Sequence, residues 1–234
     1  MLVRIKNLYN KNKSKIKNIS KKKVYKNKVT QSLFFMIALN GNYLLALVCM
    51  VLFRDGIISS SLYVKIIFLY TLFMVIIGAF SLPYKMKHYG WNLNGVEFNL
   101  KWGILLGILG ALIAIWIRLK LVEQGREEFR FNPNPEWELY IYPISVMAQE
   151  TMTKGYLQNY FEHMFDKTNK SRLIAILFSS IIFGLMHLMY GFLIMGLSVL
   201  FSVALGLFFD KTKSLLGVFI VHFFIGTAMF YFKY

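Results

Sequence analysis

The sequence predicts an all-α fold: a polytopic bundle of transmembrane helices preceded by a basic leader. Three observations predict it. Of the 234 residues, 57% are hydrophobic and 17% aromatic, with a mean hydropathy of +0.52, which is more apolar surface than one soluble core of that length can hide. Apolar runs of spanning length, about 20 residues, recur along the chain. The basic residues collect outside those runs, and eleven of the 27 lie between Arg4 and Lys28, ahead of the first acid, Asp55.

The leader, 1–31, has little apolar surface to bury and is read as partly disordered. Its share of the net charge of +16 could suggest nucleic acid. A lysine-rich arm directly before an apolar run is instead what the positive-inside rule places in the cytoplasm, facing anionic headgroups, so membrane lipids and no nucleic acid are expected as partners. The basic region is too long for a signal peptide and the next run, Ser32 to Phe53, is of spanning length, so an uncleaved anchor is expected. Further runs follow at Ile57 to Leu82, Trp102 to Ile117, Tyr140 to Tyr160, Leu173 to Tyr190, Phe192 to Phe209 and Leu215 to Phe232. They make seven spans in one membrane domain, 32–234, and eight if Trp91 to Leu100 re-enters the membrane. Asn132 to Pro135 marks a turn. The single cysteine, Cys49, cannot form an intrachain disulfide.

Charge agrees with this count. With the amino terminus inside, the even-numbered loops carry Lys85, Lys87 and Lys101, then Lys167, Lys170 and Arg172, then Lys211 and Lys213, all cytoplasmic as the rule requires. The outer segment from Arg118 to Glu136 mixes both signs and is nearly neutral. A multi-pass protein of the cell membrane is expected.

An ionisable side chain at bilayer depth costs a few kcal/mol even on lenient scales, so such a residue marks a candidate site. Glu150, Lys154, His187 and His222 qualify. Glu150 and Lys154 are four apart and would share a helix face, able to form an ion pair. Counted along each span, Glu150 lies ~15 Å deep, His187 ~20 to 25 Å and His222 ~10 to 12 Å, on three separate helices. A carboxylate and an imidazole that converge can share a proton and activate water, and a second imidazole can donate to an oxyanion. Two histidines and a glutamate can also hold zinc. No His-Glu-x-x-His occurs, so no metal and no cofactor is assigned.

At these residues the chain resembles the CAAX-protease and bacteriocin-processing family of membrane proteins, called CPBP or Abi. The matching motifs are Gln149-Glu150 with Lys154-Gly155, Phe183 to His187, and His222 to Gly226, in the family's order and spacing, within a region of about 81–234. The resemblance implies a water-activating glutamate at position 149 with His187, and an oxyanion site from His222 and an asparagine at 226. The chain departs at both ends of that set. Gln149 cannot act as a general base, and Glu150 lies ~100° away around a helix. Gly226 removes a donor, and Lys154 in place of arginine keeps the charge without the planar fork.

Three readings follow: a membrane hydrolase using Glu150, His187 and His222, with Gln149, Lys154, Phe183 and Gly226 in support; a member turned to lipoprotein N-acylation, as the resemblance implies for a branch in low-GC Gram-positive bacteria; and a non-catalytic regulator. The first two require a lipidated or membrane-anchored protein substrate, and the second leaves room for a partner subunit.

Overall fold

A computed structural model describes residues 29–125, 130–131, 138–165 and 168–233. Most of the basic leader and the Asn132 to Pro135 turn lie outside them. Every one of the seven apolar runs forms a helix. In order these are α1 (Val29–Arg54), α2 (Ser60–Ser81), α3 (Val96–Glu123), α4 (Glu138–Glu150), which runs through a π-helical segment (Thr151–Gln158) into α5 (Asn159–Met164), then α6 (Asn169–Leu185), α7 (Phe192–Thr212) and α8 (Leu216–Tyr231). A two-residue antiparallel pair, Arg130–Phe131 with Phe232–Lys233, is the only extended structure among the described residues. Trp91 to Leu100 forms no separate re-entrant helix: residues from Val96 onward are the first turns of α3.

Local chemistry explains the boundaries. The Ser59 hydroxyl accepts from Leu62 N–H at the start of α2, and Thr168 accepts from Ser171 N–H at the start of α6, each satisfying a first-turn donor. Gly90 closes the short 3₁₀ turn Met86–Tyr89 in the left-handed region, φ 94°.

The interior mixes an apolar core with buried polar side chains, and the surface inverts the soluble pattern by being largely apolar. Asn99, Glu150, Lys154, Ser179, Ser180 and Ser202 are all buried, while Phe80, Leu112, Phe192 and Leu200 are exposed. That inversion suits a protein whose surroundings are hydrocarbon. Among the described residues, four helices, α1, α2, α3 and α7, are long and apolar enough to cross a membrane, and α8 adds a shorter apolar helix. The chain is an all-α membrane protein.

Helix contacts use small residues. A β-carbon at Gly103 would stand 3.3 Å from Gly217 Cα, and one at Gly107 3.1 Å from the Phe224 ring, so α3 and α8 approach through their glycines. The three basic loops gather at one end of the bundle. There Glu162 accepts from Lys213 at 2.7 Å and lies 3.5 Å from Arg172, Leu215 N–H donates to Gly90 O, and the Tyr84 and His163 rings lie 5.7 Å apart.

Candidate functional site

The site is assembled by α4 with its π-helical extension, the end of α6, α7 and α8. Pro143 lies inside α4, and the change to wider π turns begins directly after Glu150. All eight residues of the π segment are buried. π segments of this kind concentrate at functional sites.

Glu150 and His222 come together. His222 Nδ1 lies 2.6 Å from Glu150 Oε1, with Glu150 fully buried and His222 6% exposed. A carboxylate only accepts, so Nδ1 carries the proton and Nε2 is the ring atom left to act elsewhere. The second Glu150 oxygen, Oε2, is buried with no hydrogen-bond partner. Around the His222 ring stand Phe201 at 5.4 Å, Phe183 at 5.8 Å and Tyr142 at 6.2 Å, each edge-on.

His187 is not on a helix. α6 ends at Leu185, and His187 sits in the turn that leads into the 3₁₀ helix Leu188–Tyr190. Its Nδ1 lies 2.9 Å from Phe183 O. A carbonyl only accepts, so Nδ1–H donates to one of the open carbonyls of the helix end and Nε2 keeps its lone pair. The Phe183 ring, 4.6 Å from His187, touches both imidazoles.

Gln149 and Glu150 part company. Gln149 and His187 line a cavity of about 180 Å³, with Asn42, Tyr43, Tyr63 and Phe68 of α1 and α2 on its far wall, while Glu150 and His222 do not line it. Glu150 therefore does not replace a carboxylate at position 149; it is turned inward to His222. The Gln149 amide donates to Ser145 Oγ at 3.0 Å.

Lys154 makes no ion pair with Glu150 among the described residues. Its ammonium donates at 2.6 Å to both the backbone oxygen and the hydroxyl of Ser202, and lies 3.4 Å from Ser180 Oγ. The spacing of four assumed an α-helical turn, and the π turns that follow Glu150 change which residues share a face. Gly155, next along, lets the π segment approach the Met86–Tyr89 turn, because a β-carbon there would stand 2.6 Å from Tyr89 O. Among the described residues, no three of His, Cys, Asp and Glu stand close enough together to hold an ion, so the zinc arrangement of Glu150, His187 and His222 does not fit.

Several site residues escaped the sequence reading. Ser180 and Ser202 were visible as polar residues in apolar runs. Trp91 donates from Nε1 to Thr151 Oγ1 at 3.1 Å and so braces the π segment. Tyr142, one among fourteen tyrosines, carried no signal.

The family model for the type II CAAX prenyl endopeptidase Rce1-like proteins matches residues 137–228. The match begins at the start of α4 and takes in Gln149, Glu150, Lys154, His187, His222 and Gly226. No curated protein and no solved structure matches the chain.

Proposed function

Since residues 137–228 match the family model of the type II CAAX prenyl endopeptidase Rce1-like proteins, we propose that the chain is a member of that family and acts on lipid-modified, membrane-anchored proteins at the cavity wall formed by Gln149 and His187. The reaction we assign is transfer of an acyl chain to a protein's amino terminus. One observation carries the choice: the wall presents an imidazole with a free Nε2 but an amide where a water-activating carboxylate would stand. An amine needs no carboxylate to become a nucleophile once a base takes its proton.

In this reading the neutral amine attacks an ester carbonyl while His187 Nε2 accepts the proton. The C–N bond forms, the ester C–O bond breaks, and the leaving alkoxide takes the proton back from His187. His222 stands behind the Phe183 ring rather than on the cavity wall; in its imidazolium form, with Nδ1–H held by Glu150, its Nε2–H is the donor we assign to the oxyanion. The apolar wall from α1 and α2 accepts the lipid chain. The chain works in the cell membrane with its leader cytoplasmic, and a second subunit can share the reaction.

The family match favours a second reading, cleavage of a peptide bond in a lipidated or membrane-anchored substrate. Mass spectrometry of lipoproteins and secreted peptides, from cells with and without the gene and with His187→Ala, separates the two. Loss of acylated amino termini on deletion and in His187→Ala is expected. A lost peptide cleavage with unchanged acylation would transfer the assignment to the protease reading. No change in either, with partner binding intact, would make the chain a regulator.

A further inference from the structure

Gly226 has a counterpart that sequence order hides. A β-carbon placed on Gly226 would collide with the Tyr142 hydroxyl and ring, since the phenol oxygen stands in the space that any side chain at 226 would need. Tyr142 is buried. Its hydroxyl donates to His222 O at 3.4 Å, the carbonyl one helical turn before Gly226. Its ring is edge-on to His222 at 6.2 Å and stacks with Phe223 at 6.1 Å. His222 is thus held on its side chain by Glu150 and on its backbone by Tyr142, both from α4.

We infer that Tyr142 is a positioning residue for His222, its phenol reaching from α4 into the space left open by Gly226 and giving its one hydroxyl proton there to the His222 carbonyl. Its hydroxyl fixes the His222 backbone, and its ring limits the tilt of the imidazole. Glycine at 226 is then a requirement of the tyrosine. The inference rests on the functional reading above for its kinetic consequences, and on geometry alone for the shared space.

Two measurements keep those apart. In detergent-purified protein, Gly226→Asn lowers the melting temperature because the tyrosine already fills the site, and Tyr142→Ala/Gly226→Asn melts above Gly226→Asn alone. Independent, additive effects of the two changes would overturn the shared space. In the acylation assay, Tyr142→Phe keeps the ring, the fold and KM while kcat falls about tenfold and the pH profile of kcat moves. A Tyr142→Phe variant with the kcat and pH profile of the unmodified chain overturns the positioning role. An unmodified chain that neither acylates nor cleaves defeats the functional reading and leaves the melting result to decide the rest.

Discussion

Glu150 Oε1 and His222 Nδ1 lie 2.6 Å apart across 72 residues of chain, joining the end of α4 to the first half of α8. The pair is buried, and one carboxylate oxygen has no other partner. Breaking such a pair by removing one member strands the other in a medium that cannot solvate it.

Glu150→Ala and His222→Ala are therefore each expected to lower stability, by about 3 kcal/mol on the scale of broken buried pairs. The double variant should cost clearly less than the sum, because the stranded partner is gone too. Denaturation of the four proteins in one detergent checks this, and strict additivity would show that the two groups do not interact.

Gln149→Glu puts a carboxylate on the cavity wall beside His187. A charge at this depth costs a few kcal/mol, so the variant is expected to melt lower than the parent. It also restores a group able to hold and activate water. Peptide hydrolysis should rise and acyl transfer should fall, read by assaying both products from one preparation. Unchanged partition would mean that position 149 does not face the reacting atoms.

The helices were legible because their signal is local. Runs such as Ser32 to Phe53 and Phe192 to Phe209 are long, apolar and bounded by charge, and each became a helix within a few residues of its expected ends. The basic loops also came together: Lys87, Lys213 and Arg172, far apart in sequence, sit at one end of the bundle. The wiring of the candidate residues was less legible. Lys154 was matched to Glu150 by assuming α-helical turns, and its acceptor proved to be Ser202, 48 residues on. His187 was placed on a helix that ends at Leu185, because the apolar run continues through the turn. The reason for Gly226 lies in α4, which no motif in α8 could reveal.

Ser202 supplies both of the short contacts to the Lys154 ammonium. Ser202→Ala removes the hydroxyl and leaves the backbone oxygen, a loss of about 1 to 3 kcal/mol for a hydrogen bond to a buried charge. Ser180→Ala, whose oxygen lies at 3.4 Å, should cost less. Comparing the two melting temperatures tests the ranking, and a larger drop for Ser180→Ala would reverse it.

The clustering of the basic loops gives a test of orientation. Cys49 is buried, so a single introduced cysteine reports with little background. Lys87, Lys170 and Lys211 are exposed at one end and Glu123 at the other. In intact cells, an impermeant maleimide is expected to label Glu123→Cys and to reach Lys87→Cys, Lys170→Cys and Lys211→Cys only after permeabilisation. The opposite pattern would invert the topology, and a mixed one would break the span count.

Two glycines separate close packing from mere helix weakness. A β-carbon at Gly155 would stand 2.6 Å from Tyr89 O, a backbone atom that cannot rotate away, and 3.5 Å from Leu215. At Gly196 nothing lies within 4 Å of that position. Alanine is the better helix former by about 1 kcal/mol at either site. Gly155→Ala should nonetheless lose about 1 to 3 kcal/mol, as overpacked interiors do, and should weaken activity by shifting the π segment against the Met86–Tyr89 turn. Gly196→Ala should hold or raise the melting temperature and leave activity unchanged. If both variants behaved alike, the approach of the π segment to Tyr89 would not be what fixes the site.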